Sequence, residues 1–388
     1  DLPWSRSARG VLPCSPARAD LEASVSRSSN SARPRRRRPV LLTVVGLLCA
    51  ALIAAGIGIV WYFGGIAQTL DGIKRFEGTV FPEESLRPGQ GREPYAPTTT
   101  GPGEVQGPKA AGSEEDADDK AVDIVLIGAD SGDPNGEKKD VESLNEVGRS
   151  DTIMWVHIDG DRENVQVMSI MRDTWLPVPG HGDRKINAAF ALGGVPTAVA
   201  TLENMFQARV DHVVAIDMAG FKDLVDALGG VTVNNPREFT SAFTTGEKIT
   251  FEKGPIELNG EEALVFARER KTFGDGDFTR VENQQLLVKA IVAKSLSRTN
   301  LSNPESVRGS IEAFAPYLTF DQSLDNGRLF DLAWSMRHLR GEDIQMSTVP
   351  TNGTGMAGDQ AVVWPDWKSI RQIGKGIRTG TLDEVLAP

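Results

Sequence analysis

At 388 residues the chain exceeds one average domain, although a single domain with membrane and linker segments accounts for the length. Its formal net charge of −11 argues against a nucleic-acid-binding protein, which needs a basic face. The two cysteines, Cys14 and Cys49, lie before or within an apolar run near the N-terminus, so the rest of the chain has no disulfide scaffold, thiol nucleophile or cysteine-ligated zinc.

That apolar run, VLLTVVGLLCAALIAAGIGIVWYF from Val40 to Phe63, has 24 residues and no ionisable charge. At about 1.5 Å per residue it would rise roughly 36 Å as a helix, enough to cross the hydrocarbon core of a bilayer. It is too long for a signal peptide, and aromatic Trp61-Tyr62-Phe63 stands where a small-residue cleavage site would be. Residues 40–63 are therefore predicted to be a retained transmembrane helix. Arg33 and Arg35 to Arg38 flank its N-terminal side, which assigns residues 1–39 to the cytoplasm as a basic tail and the rest to the outside. A nucleic-acid-binding reading of these arginines is disfavoured because they abut the span.

Beyond the span, Ile66, Leu70, Ile73 and Val80 fall at near-helical spacing and predict a short juxtamembrane helix. From Phe81 to Lys120 Pro, Gly, Thr and acid dominate, with too little apolar surface to offset ordering entropy. Residues 64–120 thus read as a juxtamembrane segment and disordered stalk, and 121–388 as one extracellular domain. In the latter, Ala121–Gly128, Thr152–Ile158, Asn164–Ile170, His212–Ile216 and Ile344–Val349 have the apolar character of strands. Pro196–Gln207, Ala219–Leu228, Phe278–Leu296 and Gly327–Leu339 read as helices, so the fold class is α/β, layered about a central sheet. The C-terminal WPDWKSIRQIGKGIRTGTLDEV reads as a final helix docked by its tryptophans.

The stretch FARERKTFGDGDFTRVENQQ, Phe266 to Gln285, concentrates Arg268, Arg270 and Arg280. Asn259 followed by Glu262 forms a capping box that starts a helix. If that helix ran through Arg270, Arg268 and Arg270 would point about 200° apart; a shared ligand requires the chain to be extended by Arg268. Past a Gly-Asp-Gly turn, Asp277 is placed to cap a second helix, on which Arg280 and Gln284 are neighbours on one face.

No nucleophile elbow, HExxH, P-loop or histidine metal spacing occurs, and His157, His181, His212 and His338 read as ordinary strand, loop and helix residues. What remains is carboxylates and guanidiniums at strand ends. Asp130 follows the first strand, Asp151 precedes the second and Arg172 follows the third. Such loops on one sheet edge are where α/β proteins bind ligands. Two aspartates suit a hard cation such as Mg²⁺ with phosphate oxygens, and several arginines suit a pyrophosphate.

Taken in order, IVLIGAD, GRSDTIMWVHI, VMSIMRDTWLPVPGHGDRKINAAFALGG, FKDLVDALGGVTV, LNGEEALVFARERK and GDFTRVENQQ resemble the LytR-CpsA-Psr family from about Val122 to Lys289. The resemblance implies an α/β/α sandwich with a central mixed sheet and an apolar pocket for a prenyl chain. It implies a phosphotransferase, anchored in the cell membrane, that moves a glycopolymer from a polyprenyl pyrophosphate carrier to peptidoglycan through a phosphodiester. By position, Asp130 and Asp151 match the Mg²⁺ aspartates. Arg172, Arg268, Arg270 and Arg280 match the pyrophosphate arginines, and Lys185 and Gln284 match further polar positions of the same pocket.

Arg172 with Asp151 or Asp173 would form the catalytic set, either carboxylate being a sensible base. The implied partners are the lipid-linked glycan, peptidoglycan and membrane lipid, with no nucleic acid; which glycopolymer is moved stays open. The chain departs from the family pattern at Gly132, where many members have arginine, and in the long 130–151 loop. A pyrophosphatase using water as acceptor, and a membrane-bound transcriptional regulator, are the alternative readings.

Overall fold

The computed structural model describes residues 73–89, 121–129, 150–217, 219–242, 248–274, 277–297 and 303–387. All of these belong to one compact unit, Gly58–Pro388. The predicted span at 40–63 lies outside the described residues, among which no helix is long and apolar enough to cross a membrane.

Seven strands form one mixed sheet: β1 (Lys74–Arg75), β2 (Val122–Ala129), β3 (Ser150–Ile158), β4 (Val165–Ile170), β5 (His212–Asp217), β6 (Leu318–Phe320) and β7 (Ile344–Thr348). Their order across it is β1-β6-β5-β2-β3-β4-β7. β2 runs parallel to β5 and antiparallel to β3, and β4 is antiparallel to β3 and parallel to β7. The C-terminal ends of β2, β4, β5 and β7 and the start of β3 therefore share one sheet edge. All five strands expected from the sequence are present in this sheet.

The helices are α1 (Ile186–Phe206), α2 (Ala219–Ala227), α3 (Gly260–Arg268), α4 (Phe278–Ser295), α5 (Pro304–Phe314), α6 (Asn326–Ser335), α7 (Trp367–Thr379) and α8 (Leu382–Leu386). Alternate strand residues serve opposite faces, as the period of two requires. Val125, Ile127, Ile153 and Trp155 pack with α1 and α7 residues such as Leu202, Phe206 and Ile370. On the other face Val214 and Ile216 join residues of α2, α3 and α4, and Met154 and Val167 join Leu332 and Met336 of α6 and its extension. Helices thus cover both faces of the sheet.

Several expectations are corrected. Gly193 and Gly194 leave the helical region and divide α1, so the helix expected from Pro196 is its second part, with Pro196 just after the break where a missing N–H costs little; the first part, residues 186–192, was not anticipated. Four two-stranded sheets, the hairpin of Trp175–Val178 with Gly182–Lys185 among them, and α5 were not anticipated. Of the C-terminal tryptophans, Trp367 packs with α7 in the core, whereas Trp364 packs with Trp175 and Val362.

The predicted juxtamembrane helix is not formed at its described end. Lys74–Arg75 is an edge strand paired with β6, and Ile73 and Val80 pack on opposite faces of the sheet. The start of the predicted stalk is also built into the domain. Arg87 pairs at 2.5 Å with Glu203, which is fully buried on α1, and donates to Val210 O at 2.8 Å. A buried carboxylate requires such a partner. Averaging over forty residues hid this short anchoring piece; residues 90–120 lie outside the described ones.

Candidate active site

The sheet register carries the predicted strand-end residues to one edge. Ile153 of β3 stands opposite Ile170 of β4, so Asp151, two residues before the first, and Arg172, two residues after the second, leave the sheet side by side. Between β2 and β3 the register shifts: Gly128 faces Thr152 and Ala129 faces Ser150, which makes Asp151 the extra residue of a bulge. Bulges concentrate beside active sites because they re-aim a side chain. Asp130 lies outside the described residues, as do the side chain of Asp151, Gly132 and most of the long loop joining them.

The capping box of α3 is present: Asn259 Oδ1 accepts from Glu262 N at 3.0 Å, and Glu262 Oε2 accepts from Asn259 N at 3.0 Å. The helix, however, includes Arg268, where the sequence reading needed an extended chain. Glu269 is the first extended residue, at φ −64° and ψ 128°. Its fully buried carboxylate explains the sharp exit, because it accepts from the backbone N–H groups of Arg270 (2.8 Å), Thr272 (3.1 Å) and Ala242 (2.6 Å). Arg268 is half-buried in the last turn of α3, and Arg270 is exposed beyond it.

Asp277 departs from expectation most. It occupies the N-cap position of α4 but makes no side-chain cap bond. Its carboxylate instead receives three guanidiniums: Arg172 Nε at 2.8 Å, Arg270 Nε at 2.7 Å and Arg280 Nη2 at 2.9 Å. Asp277 and Arg280 are buried, at 6 % and 7 % exposure. Attraction between full charges in such a place outweighs a neutral N–H cap, so the cap is forfeited. Beside this cluster Asp173 Oδ1 pairs with Lys185 Nζ at 3.1 Å, and Asp173 Oδ2 lies 3.7 Å from Arg172 Nε.

Three successive amides place the start of α4. Asn283 donates to Phe266 O at 3.2 Å. Gln284 donates to Ala267 O at 3.5 Å and accepts from Thr152 Oγ1 at 3.1 Å, next to Asp151 in sequence. Gln285 donates to Ser169 Oγ (2.9 Å), Ser347 O (2.8 Å) and Thr348 Oγ1 (3.0 Å), pinning the helix to the ends of β4 and β7. Thr152, Ala267 and Gln284 also line a small apolar pocket whose walls include Leu126, Met154, Ile216 and Leu287. A cationic cluster therefore adjoins an apolar hollow between sheet and α4.

A sequence model of the LytR_cpsA_psr family matches residues 99–375, most of the chain and well past the stretch in which the resemblance was read. The chain belongs to the LytR_cpsA_psr family. A relative from Bacillus mycoides (strain KBAB4), a polyisoprenyl-teichoic acid–peptidoglycan teichoic acid transferase TagU, is 32% identical over 291 residues, covering 74% of this chain and 82% of its own. The crystal structure of B. subtilis TagV superimposes with a TM-score of 0.55 at 27% identity, over 68% of this chain and 98% of that one. Protein gbs0355 from Streptococcus agalactiae gives a TM-score of 0.57 at 25% identity, over 68% and 88%. Within this LytR_cpsA_psr domain the structure brings Arg172, Arg270, Arg280, Lys185, Asp173 and Gln284 to one sheet edge with Arg268 at the end of α3. Asp277 and Glu269 were missed as site residues: acid beside arginine is common on any surface, and only the fold shows which acids are buried.

Proposed function

We propose that the chain is a phosphotransferase that moves a glycopolymer from a polyprenyl pyrophosphate carrier to peptidoglycan, from a membrane-anchored position outside the cell. The observation that carries this reading is the arginine cluster on Asp277 beside an apolar pocket. Three guanidiniums and one carboxylate leave two positive charges, and a doubly esterified pyrophosphate carries one negative charge on each phosphorus. The fork of Arg matches phosphate oxygens, and its charge persists at any working pH. The apolar walls between the sheet and α4 would receive the start of the prenyl chain. The family relationship to a TagU transferase supports the same reading, with that relative's teichoic acid as one example of the glycopolymer.

In the reaction the acceptor hydroxyl of peptidoglycan attacks the phosphorus that bears the glycan. A new P–O bond forms, the bond from that phosphorus to the bridging oxygen breaks, and the electron pair leaves with the lipid phosphate. Arg172, Arg270 and Arg280 are placed to offset charge on the equatorial and bridging oxygens, so the protein contributes positioning and electrostatics. Asp173, held by Lys185, takes the acceptor proton. Mg²⁺ fits the donor set, since a hard cation takes carboxylate and phosphate oxygens and the bulge brings Asp151 to the edge that Asp130 follows. When bound by Asp130 and Asp151, it would neutralise pyrophosphate charge.

The full chain incubated with radiolabelled lipid-linked glycan, Mg²⁺ and peptidoglycan oligomers should move label onto the oligomer. Label appearing only in released phosphosugar would favour the pyrophosphatase instead, because the same residues would then be using water.

A further inference from the structure

Helix α6 carries two apolar stripes. Leu329, Leu332 and Met336, continued by Leu339, cover the sheet. Phe330 and Trp334 lie on a roughly opposite face, 42 % and 54 % exposed, with their rings stacked 6.2 Å apart at 13°. The Arg337 guanidinium lies 4.9 Å from the Trp334 ring centroid. A helix on a soluble surface has no use for a second apolar stripe, and an exposed aromatic pair with a cation against it marks a contact surface.

We infer that this face of α6 docks on the surface of an anionic lipid bilayer, beside the pocket that takes the prenyl chain; the inference rests on the lipid-carrier reading above. Three observations select a bilayer over other occupants. Charge is the first: in a chain of net −11, this helix and its extension carry exposed Arg328 and Arg337 with Asp331 between them, Arg337 lying against the Trp334 ring. Aromatic rings with arginine at their margin suit the headgroup boundary. The second is continuity. The apolar cluster containing Leu332, Met336 and Leu339 also contains Leu126, Met154 and Val288, which line the pocket. The pocket is far too small to enclose a polyprenyl chain, so such a chain has to run out to lipid along an apolar path.

Reach is the third. Arg75 Nη2 donates to Asn326 Oδ1, the first residue of α6, at 2.8 Å. About a dozen residues separate Arg75 from Phe63, the predicted end of the span, a reach of at most roughly 40 Å. The element tied to the first described strand is thus the one that carries the exposed aromatics.

The test uses the full chain with Cys14→Ser and Cys49→Ser, labelled with an environment-sensitive fluorophore at Ala333→Cys, an exposed position between the aromatics. Met356→Cys, on an exposed hairpin, is the control. In vesicles of phosphatidylcholine and phosphatidylglycerol at three to one, lipid-borne nitroxide should quench the 333 label severalfold more than the 356 label. Phe330→Ala with Trp334→Ala should abolish the difference, and Arg328→Gln or Arg337→Gln should each lower the docked fraction relative to undocked about fivefold.

A 333 label as open to aqueous iodide as the 356 label overturns the inference. So does a spectral shift produced by muropeptides, or by rising protein concentration, without lipid. Turnover of lipid-linked glycan in detergent micelles separates the two readings. Turnover with a silent 333 label removes the docking surface alone, whereas a quenched label without turnover removes the transferase and leaves α6 on the membrane.

Discussion

Three guanidiniums gathered in one place would repel each other, and Asp277 is what allows Arg172, Arg270 and Arg280 to stand together. Because it has three partners, losing one does not leave it an uncompensated buried charge. Arg172→Ala and Arg280→Ala should therefore fold normally by circular dichroism. Each should lower turnover of lipid-linked glycan about a hundredfold or more, in line with loss of a preorganised charge-stabilising donor. Near-normal turnover in either would place the pyrophosphate elsewhere. The arginines were legible in the sequence because guanidiniums at strand ends and beside a capped helix have few structural uses. Asp277 was not, since an N-cap and an ion-pair hub look identical as a letter before a helix. Glu269 was hidden for the opposite reason: between two arginines it reads as a surface acid, although it is fully buried under three backbone N–H donors.

At the scale of elements, α7 closes the face of the sheet remote from the arginines by lying directly on the end of α1. Arg378 donates to Gln207 O at 2.8 Å and to Phe206 O at 3.3 Å, satisfying carbonyls left open at the α1 C-terminus. Gly374 permits the approach: a Cβ there would lie 1.9 Å from Phe206 O, a backbone atom that cannot turn aside. Gly374→Ala should push the helices apart and cost about 1–3 kcal/mol, as overpacking does, with Tm several degrees lower and activity at low temperature retained. Unchanged thermal unfolding would mean that the two helices do not approach so closely. The strands and the longer helices were legible because their apolar runs are set by the sheet faces they serve. The small two-stranded sheets are built largely from polar and glycine-rich sequence, as in TNGTGMA of Thr351–Ala357, and β1 exists only because β6, some 240 residues later in the chain, supplies its partner.

For the molecule as a whole, the sheet separates chemistry from support. The arginines occupy one edge, and the other holds buried acids paired with the histidines that read as ordinary strand residues. His157 Nδ1 meets Asp123 at 2.9 Å, and although burial alone would lower it, the carboxylates of Asp123 and Asp159 push it up to about 9. Asp321, at the end of β6, is the more informative of the supports. Burial alone would raise its carboxyl, but donors from His212, Ser323 and the backbone of Val213 outweigh that and hold it at about 2. Oδ2 accepts from Val213 N at 3.0 Å and meets His212 Nδ1 at 3.1 Å, while Oδ1 accepts from Leu324 N at 3.1 Å. These bonds tie β6, and through it β1, to β5.

A carboxyl held below its unfolded value of 3.8 contributes stability that is complete above that pH and is lost as the pH falls through about 2. The difference corresponds to about 2 kcal/mol. Asp321→Asn cannot titrate, so its thermal stability should lie below that of the natural chain at pH 5, and the gap should close between pH 4 and pH 2. A gap that stays constant across that window would show that Asp321 carries no charge-dependent support. If the gap closes while the arginine variants unfold like the natural chain at every pH, the two sheet edges divide the work: one holds the strands in register, and the other meets the pyrophosphate.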